Sequence, residues 1–274
     1  MASSADRMAA GAGFGALAKA DELKKRLWFT VGALIIYRLG TYLPLPGIDP
    51  GALADIFSQQ SSGILGMFDM FSGGALSRMT IFALNIMPYI TASIIMQLMT
   101  AIVPSLEALK KDGEAGRKMI NQYTRYLTVL LATVQGYGIA VGLESASGVV
   151  NDPGLFFRVT TVVTLVGGTL FLMWLGEQIT SRGVGNGISL IIFAGIVANL
   201  PTALAGTLEL GRTGALSSLL IVLLFVMAAT VIAFIVFIER SVRKILVQYP
   251  KRQHGNKVFG GDQSFLPLKI NVPG

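Results

Sequence analysis

Five uncharged, apolar runs, at residues 79–106, 126–143, 159–176, 183–208 and 213–238, limit what this chain can become. Each is near or above the ~18 residues that a helix needs to cross the hydrocarbon core of a bilayer. An integral membrane protein follows. The composition agrees, since 53% of the 274 residues are hydrophobic, 14% are charged and the mean hydropathy is +0.64. A sixth span is expected at the start, where residues 27–37 are apolar. It reaches spanning length if Arg38 snorkels and the helix continues through residues 39–43.

Residues 39–77 then interrupt the pattern. They hold Pro-Gly turns, the short apolar run Ile64-Leu65-Gly66-Met67-Phe68, and Ser72-Gly73-Gly74, and they lead into a span broken by Pro88. Backbone groups freed by a broken helix cannot face lipid, so such a segment is tolerated only where protein or a watery cavity satisfies it. The leading functional class is therefore a conduit or a carrier.

Loop charges set the orientation, because Lys and Arg concentrate on the cytoplasmic side of membrane proteins. Alternating sides from the N-terminus puts all of the 22 Lys and Arg except Arg38, Arg78, Arg158 and Arg212 on one side. Both ends are thus expected in the cytoplasm, and this bias accounts for the net charge of +7. The chain has no cysteine, which excludes disulfides, thiolate nucleophiles and Cys-ligated metals. The Ala/Gly/Ser-rich residues 2–20 lack the apolar stretch of a signal peptide and precede a charged patch at residues 21–26. They read as a cytoplasmic tail that is not cleaved.

Catalytic chemistry is scarce. The single histidine, His254, stands in a polar, basic loop, and one histidine cannot build an HExxH or facial-triad metal site. Gly183-Val184-Gly185-Asn186-Gly187 lacks a Walker lysine, Rossmann spacing and a preceding strand, so it reads as a tight cytoplasmic turn between spans. Gly138-Ile139-Ala140-Val141-Gly142 has small-xxx-small spacing and reads as helix packing. Ion-coupled carriers place acids, bases or histidines at membrane depth. Spans two to six have none within their apolar runs, which favours a passive or partner-driven pathway. An apolar constriction that closes by dewetting would supply its selectivity, and isoleucines suit that task. Periodicity alone does not say which isoleucines those are.

Several long motifs resemble a known family. They are Met70-Phe71-Ser72-Gly73-Gly74-Ala75-Leu76-Ser77-Arg78, Ile86-Met87-Pro88-Tyr89-Ile90-Thr91-Ala92-Ser93-Ile94-Ile95, Asn121-Gln122-Tyr123-Thr124-Arg125-Tyr126, and Met173-Trp174-Leu175-Gly176-Glu177-Gln178-Ile179-Thr180 followed by residues 183–190. With Pro44-Leu45-Pro46-Gly47-Ile48-Asp49 ahead of them and Leu266-Pro267-Leu268-Lys269-Ile270-Asn271 behind, they closely resemble the SecY family. Its members are the central subunits of bacterial protein-conducting channels. The resemblance covers essentially the whole chain after the first twenty residues.

The resemblance implies an all-α polytopic membrane protein with a broken, plug-bearing second helix. The family has ten spanning helices in two halves of five, and this chain stops at Gly274, where a seventh would begin, so an N-terminal portion is expected. The implied divisions are a cytoplasmic tail at 1–22, a five-helix half at 23–208, a sixth helix at 209–238 and a basic cytoplasmic loop at 239–274. Gly63, Ile64, Leu65, Gly66, Met67, Phe68, Asp69, Met70, Phe71 and Ser72 would form the plug that seals the channel externally. Ile86 and Ile90, four residues apart on one helix face, and Ile192 on the fifth span would contribute to the pore ring. Asn85 departs from the glycine often found in the family, and its amide would either hydrate the constriction or bond to a neighbouring helix.

The loop at 239–274 holds seven Lys or Arg against Glu239 and Asp262, with Tyr249, His254 and Phe259 interleaved. Such a composition can meet ribosomal RNA through phosphate contacts and stacking. By the resemblance, Arg182, Arg243, Lys244, Lys251, Arg252 and Lys257 dock the ribosome or the motor ATPase SecA. SecE, SecG, the remaining C-terminal half, signal peptides, nascent chains and membrane lipid are the other implied partners. The implied role is passage of unfolded secretory chains across the bacterial inner membrane and lateral release of membrane segments through a gate. No enzymatic activity and no cofactor are implied. The rival classes are a secondary transporter with broken helices, which the missing intramembrane charges disfavour, and an intramembrane enzyme, which lacks catalytic groups.

Overall fold

A computed structural model describes residues 21–60, 69–70, 72–146, 148–248, 252–254, 257–259 and 263–269. The chain divides into two compact units, Met1–Pro201 and Thr202–Gly274.

The first unit holds α1 (Asp21–Gly40), α2 (Pro50–Gln60), α3 (Met87–Ile102), α4 (Pro104–Lys111), α5 (Glu114–Ser145), α6 (Leu155–Arg182) and α7 (Gly187–Ala198). Its hub is α6, which packs against α1, α3, α5 and α7. The buried positions recur every four residues: Thr124, Thr128, Ala132, Gly136 and Ala140 on α5, and Pro88, Ala92, Met96 and Thr100 on α3. Lipid is as apolar as leucine, so burial there brings little hydrophobic gain and close packing of small side chains has to hold the helices together. The Thr124 and Thr128 hydroxyls donate to the carbonyls of Ile120 and Thr124, so their burial leaves no donor unmet. The small residues singled out in the sequence are not the ones that pack. A Cβ added to Gly138 or Gly142 would meet open space, whereas one on Gly136 would lie 3.7 Å from Val162 Cα. Gly136 is in the buried four-residue row; Gly138, two residues on, points the other way.

The run at 79–106 is not one continuous helix. Residues 81–86 form successive turns, α3 starts at Met87, and α3 and α4 meet at a bend of 98°. Prolines mark both starts. Pro88 sits in the first turn of α3, where a missing N–H costs nothing, and Pro104 begins α4 after an extended Val103. The turn segment satisfies its own backbone, as a water-free membrane interior demands: Thr80 N–H donates to Ala75 O, Ala83 N–H to Thr80 O and Asn85 N–H to Phe82 O.

The first helix also differs from expectation, ending at Gly40 instead of continuing to Leu43. Beyond it, residues 43–49, with a turn at Pro46 and Gly47, run between two other connectors. Ile81 N–H donates to Leu43 O (3.0 Å) and Leu45 N–H to Met79 O (2.9 Å) on one side; Asp49 N–H donates to Val149 O (2.8 Å) and Asn151 N–H to Gly47 O (3.1 Å) on the other. Tyr37, Phe82, Phe171 and Trp174 stack in sequence from α1 through the turn segment to α6, with centroids 5.8–6.2 Å apart.

The second unit holds most of α8 (Leu200–Arg212), then α9 (Ser218–Arg240), β1 (Val242–Gln248), β2 (Arg252–His254), β3 (Lys257–Phe259) and β4 (Gln263–Lys269). The strands were not expected from an all-helical reading. β1 pairs antiparallel with β4 from Val242↔Lys269 to Gln248↔Gln263, and β2 pairs with β3. Val242, Ile245 and Val247 supply β-branched residues that favour such a ribbon. By length and composition α5, α6, residues Gly187–Arg212 and α9 can cross a membrane, and the bent pair α3–α4 makes a fifth candidate. The first turns of α1 carry Asp21, Glu22, Lys24, Lys25 and Arg26, which keeps it out of that set.

Candidate functional site

Ile86, Ile90 and Ile192 line one recess of about 130 Å³ together with Asn85 and Met87. Ile86 is the residue before α3, and its carbonyl accepts from Tyr89 N–H (3.0 Å) and Ile90 N–H (3.1 Å), so the first turn fixes Ile86 and Ile90 on one side. Ile192 arrives from α7. The turn before α7 is held by four contacts: Asn186 Oδ1 accepts from Ile188 N–H (3.1 Å) and Ser189 N–H (3.4 Å), Thr180 Oγ1 accepts from Gly187 N–H (2.9 Å), and Thr30 Oγ1 accepts from Val184 N–H (3.1 Å). Gly185 takes φ +75° there, as a tight glycine turn requires.

The three isoleucines are not equivalent. Ile86 is 1% exposed and belongs to a core with Tyr37, Phe82, Leu172, Ile179 and Ile191, whereas Ile90 and Ile192 are half-buried. The lining carries no titratable side chain. Such a surface excludes water and ions; it has nothing with which to move a proton.

Of the ten residues expected to form a plug, Gly63, Ile64, Leu65, Gly66, Met67, Phe68 and Phe71 lie outside the described residues. The C-terminal end of that segment is well bonded. Asp69 Oδ1 accepts from Ser77 N–H (2.8 Å) and from Ser72 Oγ (3.3 Å), and Asp69 O accepts from Gly74 N–H (3.0 Å). From α1, Tyr37 Oη donates to Ser72 O (3.4 Å) and Arg38 Nη1 donates to Gly73 O (2.9 Å). Arg38 also donates to Tyr42 Oη (3.0 Å), and the Arg38 and Arg78 guanidiniums lie 5.0 and 4.5 Å from the Tyr42 ring centroid.

The residues expected to dock a partner divide between the units. Arg182 is the exposed last residue of α6, and Arg243 and Lys244 are exposed on β1. Arg252 and Lys257 begin β2 and β3, and Lys251 lies outside the described residues.

A family model described as SecY matches residues 80–274, more than half of the chain. The chain belongs to the SecY family. It is 57% identical over 258 residues to the protein translocase subunit SecY of Rickettsia bellii, covering 93% of this chain and 60% of that relative. It is 56% identical over 256 residues to the protein translocase subunit SecY of Escherichia coli, covering 92% and 58%. The chain thus spans about 60% of the length of these SecY relatives. A solved protein-conducting channel superposes with a TM-score of 0.62 at 18% identity, over 90% of this chain and 53% of that one. A SecY structure whose plug domain is described as stabilising the closed state gives 0.60 at 19% identity, over 90% and 52%. At those identities the superpositions establish the fold, and the SecY-type helical membrane fold read from the motifs is borne out.

Two features of this SecY-family site were not foreseen. Asn85 has φ +49° and is 3% exposed. Asparagine is among the few residues besides glycine that enter the left-handed region readily, so Asn85 meets a backbone requirement that glycine would also meet. The contact of Arg38 with Gly73 was also missed, because an arginine near a helix end reads as snorkelling. The available signal was a cation inside the apolar stretch with no acid close in sequence.

Proposed function

We propose that this SecY-family chain is the N-terminal part of the pore-forming subunit of a bacterial protein translocase. It passes unfolded secretory chains across the inner membrane and releases apolar segments sideways into lipid. Its N-terminus is cytoplasmic; residues 23–208 form one half of the channel, 209–238 the sixth helix, and 239–274 a basic cytoplasmic loop. Residues 63–72 act as the external plug, Ile86, Ile90 and Ile192 as part of the pore ring, and Arg182, Arg243, Lys244, Lys251, Arg252 and Lys257 as docking groups for SecA or ribosomal RNA. SecE, SecG and the C-terminal half of the subunit complete the assembly. The chain has no enzymatic step of its own; SecA or chain elongation on the ribosome supplies the energy.

The observation that carries this reading is the apolar recess that unites Ile86, Ile90 and Ile192 from two helices far apart in sequence. Its test uses the full-length subunit in the complete translocon. Ile90→Ser with Ile192→Ser should raise the resting ion conductance and loosen discrimination between secretory and non-secretory chains, since a hydroxyl-lined constriction wets more readily. Ile95 is the control, being exposed on the same helix and half a turn round it from Ile86. Equal defects from Ile95→Ser would show a general cost of polar substitution and remove the ring assignment. Ile86 is a poor probe, because opening a cavity at a fully buried isoleucine costs about 2–5 kcal/mol by itself.

A further inference from the structure

Alternation of the spans sets four arginines, Arg38, Arg78, Arg158 and Arg212, against all the other Lys and Arg of the chain. Two of them have carboxylate partners, Arg158 with Glu144 and Arg212 with Glu209. Arg38 and Arg78 form no ion pair among the described residues, and they converge. Arg38 stands in the last turn of α1, four residues before Tyr42. Arg78 is brought beside them because Ile81 N–H donates to Leu43 O (3.0 Å) and Leu45 N–H to Met79 O (2.9 Å), an antiparallel pairing of the two connectors. Both guanidiniums therefore lie against the Tyr42 ring, 5.0 and 4.5 Å from its centroid, and their central carbons are at most 9.5 Å apart.

Two like charges at that distance repel, the more so where lipid displaces water. The C-terminal dipole of α1 and the face of the Tyr42 ring offset part of the repulsion, but neither supplies a full negative charge. The surroundings say which kind of anion fits. Arg78 and Tyr42 are exposed, and so are Leu39 and Leu43 beside Tyr42 and Ile35 one turn before Leu39. A soluble anion would use the charges alone; an amphiphile would use the charges and the apolar surface together.

We propose that Arg38, Arg78 and Tyr42 form a headgroup site for one anionic phospholipid, with Leu39 and Leu43 as the start of its acyl-chain path. The inference goes beyond the transport reading and does not depend on it, since it concerns how the chain is seated in its bilayer. Arg38 is held in place by the bonds from its two terminal nitrogens to Gly73 O (2.9 Å) and Tyr42 Oη (3.0 Å). A guanidinium carries five N–H donors, so Arg38 keeps donors for a phosphate oxygen while exposed Arg78 presents its fork to the same phosphate. Arginine suits this task better than lysine, because its planar fork matches two phosphate oxygens at once.

The test titrates the complete translocon, built with the full-length subunit and solubilised in detergent, with phosphatidylglycerol and counts bound lipids by native mass spectrometry. Arg78→Gln should weaken one binding step on the order of fivefold, equivalent to about 1 kcal/mol. Arg38→Gln combined with Arg78→Gln should remove that step, leaving one fewer lipid at saturation. Arg212→Gln, which removes an arginine already paired with Glu209, should change nothing, and phosphatidylcholine should bind all variants alike. Arg78→Gln leaves the bond from Arg38 to Gly73 intact, so its result decides the matter even where the double variant fails to fold. Unchanged phosphatidylglycerol binding by Arg78→Gln overturns the site. An equal loss in Arg212→Gln overturns it too, since any cation would then serve. Displacement of the lipid by inorganic phosphate at matched ionic strength would show a site for soluble anions and remove the acyl-chain assignment.

Discussion

Asn85 shows how a single residue can look like a departure and be a substitute. Its φ of +49° belongs to a region that costs other L-residues about 1–2 kcal/mol. Asn85→Gly should therefore leave the melting temperature of the purified full-length subunit unchanged, whereas Asn85→Val should lower it by an amount corresponding to about 1–2 kcal/mol. Thermal unfolding in detergent reads both, and equal stability of the Val variant would mean that the backbone relaxes out of the left-handed region. In the sequence Asn85 offered only a polar side chain beside a ring. The four-residue spacing of Ile86 and Ile90 was legible, because both lie on one helix. Their unequal burial was not, since it depends on Leu172 and Ile179 from α6 and on Ile191 from α7, which arrive through turns far along the chain.

Between helices, the α5–α6 hairpin is clamped at both ends by ion pairs. At one end Arg125 meets Glu177 through two bonds, Nε to Oε1 at 3.0 Å and Nη2 to Oε2 at 2.8 Å. At the other, Arg158 pairs with Glu144, which also accepts from Gly154 N–H at 2.9 Å. The two clamps differ in exposure: the Glu177 side chain is 34% exposed and that of Arg125 50%, against 9% for Glu144. Solvent screening limits the Arg125–Glu177 clamp to about 0.2–1 kcal/mol. Glu177→Gln should thus cost little stability, and that little should vanish in high salt. Glu144→Gln should lower the melting temperature further and keep its effect in salt; a reversed order would show that the Gly154 loop, and not the carboxylate, closes this end. Neither pair could be read from the sequence, where the partners stand 52 and 14 residues apart. The interruption of the second apolar run could, because its prolines are visible. What Pro88 does there was misjudged: it opens α3 instead of breaking it, and the irregular backbone precedes it.

Across the whole molecule, the five apolar runs made a membrane protein legible before any coordinate, and the long motifs at 70–78, 86–95, 121–126 and 173–180 carried the resemblance to the SecY family. The β1–β4 ribbon was hidden, because a basic loop interrupted by Gly and Pro gives no long alternating pattern. Its tip offers the test of docking. Reversing Lys251, Arg252 and Lys257 to Glu should weaken ribosome binding by the complete translocon, while Arg240, Arg243 and Lys244 near the end of α9 preserve the topology. Co-sedimentation across a salt series should show both a lower affinity and a shallower salt slope; unchanged binding with a cytoplasmic loop would move the role to SecA or lipid headgroups. One further consequence follows from the segment at 43–49, bonded on both sides to other connectors. It leads into α2, whose Leu53 is 1% exposed in the core, and α2 ends at Gln60, while the chain is caught again at Ser72 by Tyr37. The segment proposed as the plug is therefore joined at both ends to described structure. Its contour between Gln60 and Ser72 is at most roughly 40 Å, so while both fastenings hold, no point on it can stray more than roughly 20 Å from the nearer one. Chain length alone thus bounds the reach of the proposed plug, whatever passes beside it.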